Sequence, residues 1–143
     1  MNDSVLDSVR ALRAQAKIAC VASVDGEGNP QVKAMLVLEH DSSVTQLFST
    51  NTGSRRVAQF RQNPKASVYY CDEDTFQGAL FTGAMEVLTD HDAKAALWRE
   101  GFERYYPKGV DDDDYCVLRF TAETVNYYHG LHNDTFLAQA LLA

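Results

Sequence analysis

The short spacing between β-type segments is the feature that most limits the fold of this chain. Stretches rich in Val, Ile, Thr, Tyr and Phe follow one another through turns that are too short to hold a crossover helix. The turn formers of residues 25–30 separate the first two stretches, and the acidic residues 72–74 separate a later pair. Strands joined in this way run antiparallel, and the sequence lacks the strand-helix-strand alternation that builds parallel sheets.

Seven strands and three or four helices are predicted from these patterns. The predicted strands are residues 17–24, 31–39, 44–50, 66–71, 78–88, 115–121 and 124–129. Apolar residues at helical spacing predict helices over residues 4–16, 54–62, 90–105 and 134–143. The 143 residues are expected to form a single domain. Its class is α+β and mainly antiparallel, with peripheral helices around a small barrel.

Charge is distributed unevenly along the chain. The net charge is −7, which argues against general nucleic-acid binding because a phosphate backbone would be repelled. Between Ser42 and Cys71 there is no Asp or Glu, whereas four basic residues fall there, namely Arg55, Arg56, Arg61 and Lys65. This acid-free stretch is therefore expected to bind an anion.

The chain start and the cysteines predict a cytoplasmic protein. No basic residue precedes an apolar run at the beginning, and no apolar run is long enough to span a membrane. Cys20, Cys71 and Cys116 lie far apart among β-type residues, which indicates reduced and mostly buried thiols. Their spacing predicts no metal site.

Other polar and aromatic residues suggest weaker alternatives. His129 and His132 are close enough in sequence to leave a metal or haem site open, although turn histidines are more often surface residues. The acidic run 111–114 lacks the glycine and distal glutamate of a calcium loop and is expected to be solvated. Trp98 and Tyr105 are predicted core residues, either of which can also line a pocket. No nucleophile is paired with a base, so catalytic residues are left unassigned.

One segment combines a strand, a glycine turn and a helix start. The strand ends at Thr50 and the helix begins at Ser54, so free backbone N–H groups there point toward a ligand. Arg55 and Arg56 occupy the first helical turn, where cations oppose the helix dipole unless an anion is bound. The alternative is a solvated helix start whose arginines pair with Glu73 or Asp74. Neither a P-loop nor a dinucleotide-binding glycine motif is present.

The residues from Phe48 to Val68, FSTNTGSRRVAQFRQNPKASV, resemble the FMN-phosphate segment of the pyridoxamine 5'-phosphate oxidase family. Three further segments are similar in the same order: residues 21–30, residues 33–35 and residues 82–87. The Leu-Trp pair and residues 105–109 are most similar to the short bacterial general stress proteins of this superfamily. The resemblance covers about residues 10–130 and implies a Greek-key split β-barrel.

The resemblance also implies a homodimer with two FMN molecules at the subunit interface. Arg55 and Arg56 would hold the phosphate. The implied helpers in phosphate binding are Lys33, Ser49, Thr50 and Ser54. The residues implied to meet the flavin ring are Met35, Leu36 and Gln77 or Gly78, with Tyr127 or Tyr128 approaching from the other subunit.

The implied activity is that of a flavin-dependent oxidoreductase with an unknown small substrate, linked to stress. The C-terminal end lacks the Trp and Arg pattern by which the true oxidase holds its substrate, so oxidation of pyridoxamine phosphate is not expected. A non-catalytic module that stores or senses flavin is the main alternative. The same fold binding haem or a deazaflavin is another.

Overall fold

A computed structural model describes residues 3–38 and 42–142. The elements in chain order are α1 (Asp3–Gln15), β1 (Ile18–Val24), β2 (Pro30–Leu36), β3 (Thr45–Asn51), α2 (Arg55–Gln62), β4 (Lys65–Asp72), β5 (Gln77–Leu88), α3 (His91–Leu97), β6 (Tyr115–His129) and β7 (His132–Leu137). Short 3-10 helices lie at Phe102–Arg104, Gly109–Asp111 and Ala138–Leu142.

The strands form one antiparallel sheet in the order β2-β1-β4-β5-β6-β3. The long strand β6 pairs with β5 along one edge, while its other edge pairs first with β3 and then with β7. No pairing joins β2 to β3 in the described chain, so the sheet is not closed. This arrangement confirms the predicted split barrel, and the gap between β2 and β3 is the opening on which the site depends.

The core lies on the inner face of the sheet, beneath α1. Side chains alternate along each strand, so every second residue of β1 and β4 is buried, including Val21 and Val68. Leu6, Val9 and Leu12 lie on one side of α1 and cover this face. A smaller cluster around Tyr115 and Leu97 lies beside it. The predicted amphipathic first helix is therefore confirmed.

The outer face of β2, β1, β4 and β5 carries exposed aliphatic side chains. Ile18 pairs with Leu36 in register, and their exposed fractions are 55% and 62%. Leu80 on β5 shares this face through its register with Tyr69 and is 38% exposed. No charged side chain lies on this face where the four strands are in register, over residues 18–22, 32–36, 67–71 and 78–82. We call this surface the open face.

The third helix is shorter than predicted. It ends at Leu97 rather than at residue 105, because Trp98 adopts an extended ψ of 135° and Gly101 has a φ of +97°. The Trp98 ring turns inward and meets Tyr115 at 5.4 Å. Packing against β6 therefore overrides the helical spacing of the aromatic residues.

The C-terminal region also differs from prediction. The two strands expected at residues 115–121 and 124–129 are one strand, because β5 accommodates it through an irregularity at Gly83, where a Cβ would overlap the carbonyl oxygen of Thr121. The tail was predicted to be helical, but its first part is β7, in which Phe136 pairs with Val125. The predicted strand end at residue 39 lies outside the described residues.

Candidate functional site

Two adjoining cavities lie where β1, β2, β3 and α2 meet. The first has a volume of about 460 Å³ and is lined by Val21, Ser23, Gln31, Val32, Lys33, Asn51, Gly53, Ser54, Arg55, Arg56 and Gln59. The second, about 590 Å³, fills the opening between β2 and β3 and is lined by Ala34, Met35, Leu36, Ser49, Thr50, Asn51, Arg56, Arg104, Tyr105, Tyr106 and Asp114. Both share Asn51 and Arg56, so we treat them as one groove. Each volume is in the range of small-molecule sites.

The first turn of α2 forms one end of this groove. Ser54 caps the helix, its Oγ accepting a 3.3 Å hydrogen bond from the N–H of Val57. The N–H groups of Arg55 and Arg56 precede the first intrahelical bond and have no partner within the helix. No acidic residue lies in this turn. The helix start is therefore electropositive and open to an anion.

The preceding glycine turn is anchored by the acidic loop before β6. The N–H of Gly53 donates to Asp114 Oδ1 at 3.0 Å, and the N–H of Thr52 donates to the carbonyl oxygen of Asp114 at 2.8 Å. These bonds hold the end of β3 against the entry to β6. The acidic run that was predicted to be only solvated thus shapes the groove.

Arg56 lies at the junction of the two cavities. Its Nη2 donates to Thr50 Oγ1 at 2.8 Å, but its Nε is buried and has no hydrogen-bond partner among the described residues. Burial lowers the pKa of the guanidinium, while Tyr106 and Cys116 act in the opposite direction. A buried donor without a partner costs about 1–3 kcal/mol, so this side chain is suited to an acceptor supplied by a ligand.

Arg55 and Lys33 are exposed at the same end of the groove. Within residues 3–38 and 42–142 neither arginine of the helix start forms an ion pair, and the alternative partners Glu73 and Asp74 are not used. Arg55 acts only at longer range on Asp25, whose pKa is lowered chiefly by a hydrogen bond from the backbone of Asn29. The alternative pairing of these arginines with Glu73 or Asp74 is therefore not found in the described ranges, although Arg55 is exposed.

The opening between β2 and β3 forms the other end of the groove. Met35 is buried and Leu36 is exposed, so β2 presents an apolar edge to the cavity. Across from it, Tyr106 is buried, and burial raises the pKa of its phenol while a hydrogen bond with Ser49 partly offsets this. This end can therefore hold a flat, partly apolar group.

Most predicted site residues come together in the groove. The eight that line it are Lys33, Met35, Leu36, Ser49, Thr50, Ser54, Arg55 and Arg56. Gln77, Gly78 and Tyr128 do not line it. Gln77 and Gly78 are on β5, three strands from β2 in the sheet, and Tyr128 is at the far end of β6 from the segment that pairs with β3.

The remaining predicted residues cluster at one end of β5 and β6, with Gly78 and Tyr128 on the open face and Gln77 and Tyr127 on the opposite face. Tyr127 Oη donates to Gln77 Oε1 at 2.8 Å, and the hydroxyl groups of Tyr69 and Tyr128 are hydrogen-bonded over Gly78. A Cβ on Gly78 would collide with both tyrosine side chains. A single chain therefore does not bring this cluster to the groove.

Sequence reasoning missed part of the groove. Arg104, Tyr106 and Asp114 line it without having been predicted to do so. Tyr105 was predicted to be a core residue, which is wrong because it is 64% exposed, and it lines the groove as the alternative expected. Arg104 and Tyr106 were missed because the helix was predicted to continue through residue 105, although Gly101 is a typical signal for an earlier helix end. Ser23 and Gln59 were also missed, and they bond to each other at 2.5 Å in the wall of the first cavity.

No described cysteine or histidine lines either cavity. Cys116 is buried and Cys20 half-buried, but Cys71 is exposed, which corrects the prediction of mostly buried thiols. His91 Nδ1 and Asp111 Oδ1 are 2.7 Å apart, and this bond raises the pKa of the imidazole. In the described ranges, no group of three His, Cys, Asp or Glu side chains is arranged to hold a metal ion. No described helix has the length and apolar character needed to cross a membrane.

Comparison with known proteins identifies the family. The sequence profile described as Pyridoxamine 5'-phosphate oxidase matches residues 5–129. A curated pyridoxine/pyridoxamine 5'-phosphate oxidase from Yersinia enterocolitica is 36% identical over 70 residues, which are 49% of this chain and 32% of that protein. The matched region thus spans about a third of the length of that relative.

Solved structures extend the likeness over the whole fold. A protein from Clostridium acetobutylicum, related to general stress protein 26 of Bacillus subtilis, is 38% identical with a TM-score of 0.89 over 99% of both chains. An FMN-binding protein from Nostoc punctiforme is 15% identical with a TM-score of 0.72, covering 94% of this chain and 88% of its own. A haem-binding protein from Mycobacterium smegmatis is 15% identical with a TM-score of 0.77, covering 99% and 61%. The last two share the fold alone, whereas the profile match shows that this chain belongs to the pyridoxamine 5'-phosphate oxidase family.

Proposed function

We propose that this chain binds FMN in the groove, with the phosphate at the start of α2. The observation that carries the proposal is the buried Nε of Arg56, which has no partner in the described chain. Arginine side chains and free N–H groups at a helix start are suited to phosphate oxygens. Arg55, Arg56 and the Ser54 hydroxyl supply these groups, and Lys33 adds a further positive charge. Thr50 and Ser49 complete the phosphate end.

The flavin ring is assigned to the opening between β2 and β3. Met35 and Leu36 offer an apolar edge on one side, and the buried Tyr106 lies across from them. When bound, FMN supplies hydride or electron transfer, and the protein holds and orients it. The residues of this chain fix the phosphate, shield one side of the ring and leave access from the outer mouth of the cavity.

A second copy of the chain is proposed to cover the open face. Exposed aliphatic residues without neighbouring charges favour association, because burying them removes apolar surface from water. Gly78 and Tyr128 lie on this face, Gln77 begins the same strand as Gly78, and none of the three lines the groove of its own chain. In a homodimer these residues contact the flavin bound to the partner, which gives two shared sites.

The activity proposed for this dimer is that of a cytoplasmic flavin-dependent oxidoreductase acting on a small substrate. The alternative is a module that stores or senses FMN without turnover. Reduced pyridine nucleotide distinguishes them, because it bleaches the bound flavin only if the chain is a reductase. Loss of absorbance near the flavin maximum under anaerobic conditions measures this step.

Haem is the second candidate ligand, because a neighbour of the same fold binds haem. In the described part of the chain no histidine lines the groove, and His129 and His132 lie exposed near the β6–β7 turn. Haem titration of the unaltered protein and of His129→Ala with His132→Ala tests this candidate. A haem spectrum that disappears in the double variant would favour haem over FMN.

The central experiment is a parallel titration with FMN and riboflavin, which differ by the phosphate. The unaltered chain is expected to bind FMN and to keep its colour through gel filtration. Arg55→Ala with Arg56→Ala should weaken FMN binding at least about 100-fold, because two charge-assisted contacts are lost. Riboflavin binding should change by less than about threefold, since it makes no phosphate contact.

Arg61→Ala is the matched control, because Arg61 lies in the last turn of the same helix and lines neither cavity. It should leave the affinity for FMN unchanged. Equal FMN affinity in the double variant and the unaltered chain would show that the phosphate is not bound at the start of α2.

A further inference from the structure

The outer wall of the second cavity is built by the segment between α3 and β6. Arg104, Tyr105 and Tyr106 line it opposite the edge of β2. Aromatic rings hold this segment from behind, with Tyr106 and Tyr115 at 4.7 Å and Trp98 and Tyr115 at 5.4 Å. The backbone of this wall is therefore held in place by packing, next to the groove that its exposed side chains line.

Arg104 gives this wall a positive charge that the protein leaves available. It is exposed and forms no ion pair within the described ranges. The carboxylate that lines the same cavity belongs to Asp114, and its Oδ1 already accepts the N–H of Gly53. Arg56 adds a second cation to the lining of the same cavity. The cavity therefore attracts anions, and Arg104 stays available when a phosphate occupies Arg56.

Tyr105 places an aromatic ring next to this charge. Its exposed fraction is 64%, although Tyr106 beside it is buried. The two rings meet edge to face at 6.3 Å, and the exposure of Tyr105 leaves part of its ring surface available for stacking. An exposed ring and a guanidinium that line the same cavity are suited to a ligand that is both flat and negatively charged.

We propose that Arg104 and Tyr105 form the substrate subsite, and that the substrate is a planar anion of the aromatic carboxylate class. The guanidinium binds the carboxylate through two parallel hydrogen bonds, and the tyrosine ring stacks on the ring of the substrate. The assignment of this ligand as substrate rests on the proposed flavin function, since the same cavity would hold the flavin ring. The binding of such an anion does not depend on the flavin.

Benzoate is the probe that tests this subsite. Benzamide has the same shape without the charge, and cyclohexanecarboxylate has the charge without the flat ring. Trp98 is the only tryptophan and packs behind Tyr106, so its fluorescence reports binding in the FMN-free protein. Benzoate should change this fluorescence saturably, and both other compounds should bind at least about tenfold more weakly. Equal binding of benzamide would overturn the role of Arg104.

Variants separate the contributions of charge and ring. Arg104→Gln and Tyr105→Leu should each weaken benzoate binding at least about fivefold, whereas Tyr105→Phe should retain it. Lys108→Gln is the matched control, because Lys108 is an exposed cation of the same segment that lines neither cavity. All three positions are outside the buried core, so circular dichroism should show an unchanged fold in the four variants. Unaltered benzoate affinity in Arg104→Gln and Tyr105→Leu would overturn the proposal.

Titrations in the presence of FMN distinguish this proposal from the proposed function. Arg104→Gln should bind FMN as the unaltered chain does, and benzoate should shift the absorbance of bound flavin only when Arg104 is present. Benzoate binding without any FMN binding would support the anion subsite and contradict the flavin function. FMN binding without benzoate binding would support the flavin function and overturn the subsite.

Discussion

At the start of α2 the chain buries a polar atom that has no partner among the described residues, whereas on the open face it exposes aliphatic side chains that no described residue covers. The Nε of Arg56 represents the first region, and Ile18 and Leu36 represent the second. Folded chains usually pair buried donors and bury large apolar groups. The single chain therefore supplies neither an acceptor for the Nε of Arg56 nor a surface that covers Ile18 and Leu36.

The two regions require different kinds of partner. An unpaired buried donor costs about 1–3 kcal/mol and is satisfied by an acceptor, of which a phosphate is the strongest kind here. Exposed aliphatic surface costs about 25 cal/mol per Å² and is satisfied by another apolar surface, regardless of direction. The groove thus requires a small anion of defined geometry, whereas the open face requires a second surface of matching shape.

The largest expected effect comes from placing charge on the open face. Ile18→Glu with Leu80→Glu should convert the proposed dimer to a monomer, raising its dissociation constant at least about 100-fold, because two carboxylates would be desolvated in the interface. Sedimentation velocity measures the change. Leu142→Glu is the control, since Leu142 is exposed in the last turn, which packs beside α1.

The same variant shows whether the two regions cooperate. Its FMN affinity should fall, because the partner no longer supplies Gln77 and Tyr128, while the preference for FMN over riboflavin should be unchanged. That preference depends on phosphate contacts within one chain, at Arg55 and Arg56. An unaltered chain that sediments as a monomer at micromolar concentration would contradict the proposed pairing.

Thiol labelling gives the next largest expected effect. Cys71 is exposed on the open face, whereas Cys116 is buried in β6, where burial raises the pKa of its thiol. A thiol-specific reagent should modify Cys71 at least about tenfold faster in the monomeric variant than in the dimer. Cys116 should react only after unfolding.

Cys71→Ser identifies the fast phase, which should disappear in this variant. The released chromophore is followed by absorbance at native pH and again in denaturant. Equally fast labelling of Cys71 in the unaltered chain and in the monomeric variant would mean that the open face is not covered in solution.

The sequence predicted those parts of the molecule that depend on neighbours along the chain. Residues 49–56 provide five of the predicted site residues, and signals that act over a few residues indicate them, whereas Lys33, Met35 and Leu36 were implied by the family resemblance. The Ser54 cap and the strand end at Thr50 are local features of this kind. The presence of the groove could therefore be predicted from the sequence, whereas the residues of its outer wall could not.

The parts that escaped prediction depend on distant partners. The tail has apolar residues at positions 136, 137, 140 and 141, which fit a helix equally well, but Phe136 pairs with Val125 in a strand. Arg104 and Tyr105 reach the groove only because Trp98 leaves the helix to pack on Tyr115. Tertiary packing determines these conformations, and the spacing of apolar residues alone does not predict them.

The smallest expected effect tests whether Arg56 lowers the stability of the folded protein when no ligand is bound. Arg56→Met keeps the apolar stem and removes the unpaired buried Nε and the charge, at the expense of the bond to Thr50. The free energy of unfolding of the FMN-free protein should therefore rise by about 1 kcal/mol. Because the guanidinium stays charged at ordinary pH, the gain should be constant between about pH 5 and 9. Chemical denaturation measures it.

Arg55→Met is the matched control, because Arg55 is exposed in the same helical turn and its removal should change stability by less than about 0.5 kcal/mol. Saturating FMN should reverse the order, since a ligand that binds only the folded chain stabilises the unaltered protein more than the variant that has lost its phosphate contact. If Arg56→Met were instead less stable without FMN, the bond to Thr50 would outweigh the unpaired nitrogen. The groove would then need no ligand to stabilise Arg56. The open face would be the one region of the two that requires a partner.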